Sequence, residues 1–323
     1  MNIVVLDGYT LNPGDLSWEE ISRLGKLTVY DRTTEEEIVQ RAEDAEVVLS
    51  NKTPLSAETL ARLPRLRYIG VLATGYNIVD TKAAAQQGIT VTNVPDYSSF
   101  SVSQLVFSLI LEFCHQVQKH SDAVHGGRWS AIKDFTFSLS PLHGLIHKTM
   151  GIIGFGQIGQ QVAQIAAAFG MHVVVHTRTA KQVEGLEHVR FVEENELFRE
   201  SDFISLHCPL TDQTKGIVSS RTLGLMKPTA FLVNTARGGH IVEQDLVDAL
   251  QAGTIAGAGL DVLSVEPPPA DHPLIGAPNC FLTPHMGWAT VESRKSLMSL
   301  AAGNLQSFMD GAVRNQVGID IAP

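Results

Sequence analysis

The chain has 323 residues, with 24 basic against 34 acidic side chains for a formal net charge of −10, and 44% of its residues are apolar. A composition of this kind excludes disordered, collagen-like and low-complexity classes. Without any Lys/Arg run it also argues against nucleic acid or an anionic membrane surface as a partner.

The length implies two domains rather than one. Three cysteines, Cys114, Cys208 and Cys280, form no CxxC pair, so neither a disulfide framework nor a cysteine zinc site is expected. Reduced thiols of this kind fit a cytoplasmic setting. The opening MNIVVLDGYT has no basic n-region and predicts no signal peptide, and the terminal Ile321-Ala322-Pro323 carries no address tag. The longest apolar stretch, residues 105–111, falls far short of the ~20 residues a membrane helix needs.

In chain order, residues 3–7, 27–31, 47–50, 68–72 and 90–94 are short, largely apolar runs that predict buried strands. Helix-like stretches lie between them at 35–41, 56–63 and 80–87. Strand–helix alternation implies parallel strands joined by crossovers. Residues 95–99, Pro-Asp-Tyr-Ser-Ser, break the pattern, and residues 102–118 then predict one long helix followed by an irregular segment. The alternation restarts with strands at 150–154, 172–177, 203–207, 230–234, 257–261 and 280–283, and residues 291–310 predict a tail helix that crosses back to the first unit. The expected fold is α/β, with two doubly wound parallel-sheet domains: 1–97 with 289–323, and 98–288. The apolar 102–118 helix and the stretch after it exceed what one such unit needs, which predicts a homodimer.

The sharpest local signal is Gly154-Phe155-Gly156-Gln157-Ile158-Gly159, which follows a predicted strand and opens a predicted helix. Gly154 permits the tight turn, Gly156 lets the backbone approach a pyrophosphate, and Gly159 allows close helix–strand packing. The helix start then offers free N–H groups and a partial positive charge to phosphates. A Rossmann dinucleotide site is therefore expected. The following strand should end in Asp or Glu to hold the ribose 2′-OH of NAD, yet the chain continues His176-Thr177-Arg178-Thr179-Ala180-Lys181. Without a carboxylate to repel a 2′-phosphate, and with Arg178 able to pair with one bidentately, NADP(H) is favoured and NAD(H) is the alternative.

Three further residues follow predicted strand ends: Arg237 in NTARGG, Glu266 in GLDVLSVEPPP and His285 in TPHMGW. In open α/β sheets ligands bind beyond the carboxyl ends of strands, so these three are candidates for one site. Imidazole titrates nearest neutrality and suits general acid–base work, a carboxylate can orient it, and a guanidinium suits a substrate carboxylate.

The spaced set GFGQIG, LHCPLTDQTKG, VNTARGG, GLDVLSVEPPP and TPHMGWAT resembles the D-isomer-specific 2-hydroxyacid dehydrogenases over nearly the whole chain. LDGYTLNPGDLSW and HMGWAT are similar to the glycerate dehydrogenase and hydroxypyruvate (glyoxylate) reductase branch. The chain departs from the family pattern at the missing ribose-binding acid and at Gln104, where many relatives carry an acid. The resemblance implies a flavodoxin-like substrate domain beside the Rossmann domain, and NAD(P)H-dependent reduction of a small 2-oxo acid to the D-2-hydroxy acid. It implies His285 as general acid, Glu266 as its partner, and Arg237 as the clamp on the substrate carboxylate. Backbone N–H groups at Thr74 and Gly75 are the implied substrate contacts, with Trp288 lining the pocket. Implied cofactor contacts are Val102, Gly154, Gly156, Gln157, Ile158, Gly159, Thr177, Arg178, Thr179, Cys208, Pro209, Thr214, Thr235, Ala236, Asp261 and Gly287, with Asp261 accepting from the nicotinamide amide.

Two functional alternatives stay open: a reductase of an aryl- or branched-chain pyruvate, and a dinucleotide-sensing protein like the corepressors that share this fold. His143 and His147 have the spacing of a helical metal pair, but Gly144 and the adjoining strand argue against a helix, and no metal site is expected. Cys208 and its neighbour His207 should point to opposite faces of a strand, which disfavours a thiol–imidazole nucleophile.

Overall fold

In the computed structural model, residues 1–180 and 183–318 are described; Lys181 and the terminal tripeptide lie outside them. The chain divides into two compact units, Met1–Ser98 with Trp288–Pro323, and Ser99–Gly287. Trp288 thus falls in the first unit, where it meets Tyr97 edge-on at 6.5 Å, rather than closing the second.

The first unit is built on β1 (Asn2–Val5), β2 (Lys26–Val29), β3 (Val47–Ser50), β4 (Tyr68–Val71) and β5 (Thr90–Thr92). All pairings are parallel, in the order β2-β1-β3-β4-β5, the doubly wound order of flavodoxin-like sheets. Successive side chains on a strand point to opposite faces. Accordingly Val4, Val48 and Ile69 enter one core while Ile3, Val5, Val47 and Leu49 enter the other. A sheet covered on both faces needs strands apolar at every position, which is why these read as continuous runs rather than alternating ones.

The tail helix, Val291–Met309, belongs to the second of these cores through Leu297, Met298, Ala301, Ala302 and Leu305. Full burial of each larger side chain contributes about 1.5–3 kcal/mol. Its start is capped by Thr290, whose hydroxyl accepts from the Ser293 N–H at 3.3 Å. The buried Arg294 forks onto Asp15, at 2.8 and 2.6 Å. That pairing pulls the Asp15 carboxyl below its ordinary range.

The second unit carries β6 (Thr149–Ile153), β7 (His172–His176), β8 (Arg190–Phe191), β9 (Phe203–Leu206), β10 (Phe231–Asn234), β11 (Gly257–Leu260) and β12 (Cys280–Leu282). The order is β12-β11-β10-β9-β6-β7-β8, again all parallel. Winding reverses between β6 and β9, and at such a switch point the loops leave a crevice beyond the strand ends.

The predicted single helix over 102–118 is instead two. Ser99–His115 buries Val102, Leu105, Val106, Leu109 and Ile110, and ends where Gln116 turns left-handed at φ 44°. Val117–His125 then buries nothing. Apolar periodicity that reaches the core sets the first helix, and the second continues as helix without that anchor. The short helix Arg128–Ala131 lies in the segment expected to be irregular. Among the described residues no single helix is long and apolar enough to cross a membrane.

Candidate active site

The Gly-rich turn leaves β6 at Ile153 and enters the helix Gln157–Ala168. Gly154 has φ 95°, and a Cβ there would lie 2.5 Å from the Cys208 backbone nitrogen. No other residue fits so close to the neighbouring loop at that φ. A Cβ on Gly159 would lie 2.3 Å from the Gly154 carbonyl, whereas one on Gly156 would meet nothing within 4 Å. The turn is thus closed toward the protein and open outward at Gly156. Gln157, Ile158 and Gly159 form the helix's first turn, whose N–H groups have no acceptor within the helix, and no acidic side chain sits there.

Around this cradle lie other predicted contacts. Thr177, Arg178 and Thr179 follow β7, with Arg178 and Thr179 exposed. Cys208 and Pro209 follow β9; the Thr214 hydroxyl donates to the Pro209 carbonyl at 2.6 Å and so holds that loop in shape. Thr235 and Ala236 follow β10, and Thr235 Oγ1 is buried without a hydrogen-bond partner. An orphaned hydroxyl after β10, in the same sheet as the open Gly turn after β6, is what a dinucleotide would satisfy, so the residues present fit that cofactor. Val102 and Gly287 lie together, a Cβ on Gly287 falling 3.6 Å from the Val102 side chain.

The candidate catalytic groups sit beyond β10, β11 and β12. His285 has φ 51°, a left-handed backbone that aims its ring out of the strand. Its Nδ1 lies 2.6 Å from Glu266 Oε2, while Glu266 Oε1 accepts from the Leu263 N–H at 3.0 Å. Both groups are about one-third exposed or less, at 29% and 33%. With Nδ1 held by the carboxylate, Nε2 is the ring nitrogen left for chemistry.

Arg237 is exposed at the turn after β10, its Nη1 donating to the Ala236 carbonyl at 2.6 Å. Gly238 next to it presses on the Glu266 loop so closely that a Cβ would lie 2.0 Å from the Leu263 carbonyl carbon. Arg237, Glu266 and His285 are therefore linked through direct contacts of their loops.

The loop holding His285 is organised by Asp261, which is 2% exposed. Its carboxylate accepts from Thr283 Oγ1 at 2.6 Å and from the Met286 and Gly287 N–H groups, both at 2.8 Å. Three of its four acceptor positions are thus committed to the protein, beyond the cofactor contact read from the sequence. Sequence reasoning also missed Glu243, whose carboxylate takes the Ser264 N–H and hydroxyl at 2.8 and 2.6 Å and meets His272 Nε2 at 3.3 Å. An acid opening the helix Glu243–Gln251 looks like ordinary first-turn charge, and nothing local marks its partner 21 residues on.

Thr74 and Gly75 lie in the first unit after β4, with the Thr74 hydroxyl donating to the Val94 carbonyl at 3.0 Å. Trp288 is also in that unit. His207 bonds Ser205 Oγ through Nε2 at 2.8 Å, and burial pushes it down to about 3, so it stays neutral. Burial likewise raises the Cys114 thiol to about 11 and the Cys280 thiol to about 12. Among the described residues no group of His, Cys, Asp and Glu could hold a metal ion.

The family description "D-isomer specific 2-hydroxyacid dehydrogenase, NAD binding domain" matches residues 107–287. The hydroxypyruvate reductase of Blautia hydrogenotrophica is 48% identical over 320 residues, spanning 98% of this chain and 99% of that one. The glycerate dehydrogenase of Methylorubrum extorquens is 37% identical over 318 residues, 98% of each chain. Among solved structures, an acyclic imino acid reductase in complex with NADPH and D-Arg superposes with a TM-score of 0.85 at 32% identity, over 98% of this chain and 100% of that one.

Proposed function

The chain belongs to the D-isomer-specific 2-hydroxyacid dehydrogenases, oxidoreductases that bind NAD(H) or NADP(H), and from that premise we propose that it reduces hydroxypyruvate and glyoxylate to D-glycerate and glycolate with a preference for NADPH. The observation that carries the reading is the Glu266–His285 pair at 2.6 Å, with the Glu266 loop packed against Gly238 beside Arg237 and in the same unit as a Gly-rich cradle.

When bound, the reduced nicotinamide supplies the hydride that C2 of the oxo acid accepts. The chain's own groups do the rest. The Arg237 guanidinium clamps the substrate carboxylate with two of its N–H groups and draws electron density from the carbonyl. His285 Nε2 gives its proton to the carbonyl oxygen as the alkoxide forms. Glu266 fixes the ring through Nδ1 and opposes the charge of the imidazolium before transfer. In the oxidative direction the same ring takes the hydroxyl proton back. Asp261 keeps the His285 loop in place through the Met286 and Gly287 N–H groups.

The NADPH preference rests on Arg178, exposed two residues beyond β7 where an acid would hold the ribose 2′-OH of NAD. Reduced-nicotinamide absorbance, followed with hydroxypyruvate, glyoxylate, pyruvate and phenylpyruvate, tests both parts. We expect hydroxypyruvate and glyoxylate to turn over fastest, with NADPH ahead of NADH by about tenfold or more in kcat/KM. Arg178→Ala should lower the NADPH value by about ten- to hundredfold and leave NADH nearly unchanged, since one charge-assisted contact is worth roughly 1.5–3 kcal/mol. An NADH preference that Arg178→Ala leaves unaltered would sink the 2′-phosphate argument. Tight cofactor binding without turnover of any oxo acid would shift the reading to a dinucleotide sensor.

Exposed apolar side chains along residues 117–142 support a homodimer: Val117 (65% exposed), Trp129 (52%), Phe135 (87%) and Leu142 (55%). Light scattering at micromolar concentration should give about twice the chain mass of 35.0 kDa, and a monomer mass would remove the claim. The three free cysteines support a cytoplasmic setting.

A further inference from the structure

His240 has no part in the reading above, yet it lies three residues from Arg237 at the end of the 3₁₀ turn Gly238–His240 and is wholly buried. Its Nδ1 is 3.0 Å from the Arg237 carbonyl oxygen and its Nε2 is 3.5 Å from Cys208 Sγ. A carbonyl oxygen can only accept, so Nδ1 carries the proton. A neutral ring carries one proton, and of the two backbone carbonyls facing it, those of Arg237 and Pro209, the Arg237 oxygen at 3.0 Å is the one in hydrogen-bond geometry, so Nε2 is left as an acceptor and the Cys208 S–H becomes its donor.

Burial holds the His240 imidazole below its ordinary value, and the Arg237 charge acts in the same direction, against backbone hydrogen bonds at Pro209 and Arg237. Burial also raises the Cys208 thiol. The pair is therefore a neutral thiol bonded to a neutral ring, rather than a thiolate and imidazolium poised as a nucleophile. The Arg237 carbonyl additionally accepts from Asn234 Nδ2 at 2.8 Å and from the His240 N–H at 3.2 Å. Cys208, at the far end of the chain of bonds, is the residue against which Gly154 packs.

We propose that His240 is a positioning residue for Arg237, tying the Arg237 carbonyl to the Cys208 loop through its Nδ1–H tautomer. The root of the guanidinium is thereby set by the same loop that abuts the Gly-rich turn. Clamp and cofactor cradle keep a common register, without His240 touching either ligand. The inference rests on the reading of Arg237 as the substrate clamp. The competing account makes His240 a space-filling core residue.

Two substitutions separate donor from volume. Asn at 240 places an amide nitrogen near the position of Nδ1 but leaves a void, whereas Leu fills much of the space and donates nothing. Positioning predicts that His240→Leu raises KM for hydroxypyruvate by about ten- to hundredfold, as expected for a misplaced clamp. The Kd for reduced cofactor should stay within about twofold. His240→Asn should hold KM within about threefold of wild type even where its Tm falls. Packing alone predicts the reverse order. A wild-type KM in His240→Leu, or equal rises in both variants, overturns the proposal.

A second readout needs neither turnover nor folded variants. Nitrogen-15 NMR of the wild-type ring at about pH 8 should show a proton on Nδ1 and none on Nε2. An Nε2–H tautomer overturns the proposal whatever the kinetics show. A wild-type protein that reduces no oxo acid would refute the proposed function, while the tautomer would still decide whether the bond to Arg237 exists.

Discussion

Replacing His285 by glutamine is expected to lower kcat for hydroxypyruvate reduction by about 10²- to 10⁴-fold, the range lost with a positioned general acid. Glutamine approximates the length of the ring and can still donate an amide hydrogen bond, but it has no proton to release to a developing alkoxide. The scaffold around position 285 does not depend on the ring. The His285 N–H donates to the Asp261 and Thr283 carbonyls, and Asp261 holds the Met286 and Gly287 N–H groups. Cofactor affinity should consequently stay within a few-fold, as read by fluorescence titration of NADPH. Stopped-flow absorbance then isolates the chemical step. A variant that kept more than a tenth of the wild-type rate would remove His285 from the role of acid.

The second large effect falls on Arg237. Its side chain is exposed and, among the described residues, hydrogen-bonds only the Ala236 carbonyl, so its loss leaves no buried partner stranded. Arg237→Lys keeps the charge and removes the planar fork. A carboxylate that met two parallel N–H groups would meet a single rotating ammonium, and the polarisation of the adjacent carbonyl would be lost with it. Steady-state kinetics should show kcat/KM reduced by about 10²- to 10³-fold, through both a higher KM and a lower kcat. Thermal stability should barely move. Equal kcat/KM for lysine and arginine would mean that charge alone is used and that the bidentate clamp is wrong.

Much of the candidate site is legible in the sequence. GFGQIG announces its turn because glycine spacing is a local demand: Gly154 needs φ 95°, and a Cβ on Gly159 would fall 2.3 Å from the Gly154 carbonyl oxygen. Arg237, Glu266 and His285 were visible as polar residues just beyond apolar strand runs. The helices were less faithful. The 102–118 pattern continued smoothly through Gln116, where the chain takes φ 44°, because nothing in the residue types marks the end of core contact. The two-residue β8 is too short to carry a periodic apolar signal, and the helix Val117–His125, which buries no residue, is not separable in sequence from the core helix before it.

What the sequence determined by itself is what neighbours along the chain decide: two sets of buried parallel strands, the Gly-rich turn with its helix, and the absence of an acid after β7. Backbone sterics and apolar periodicity act over a few residues, so they are written in residue order. Tertiary structure decided which loops meet. Glu266 reaches His285 across 19 positions, Asp261 gathers the Thr283–Gly287 segment across 22 to 26, and His240 meets Cys208 across 32. Those partnerships depend on strand order at the carboxyl edge of the sheet. A hydrogen bond between these loops requires β9, β10, β11 and β12 to lie side by side, and no local preference of either residue records the other.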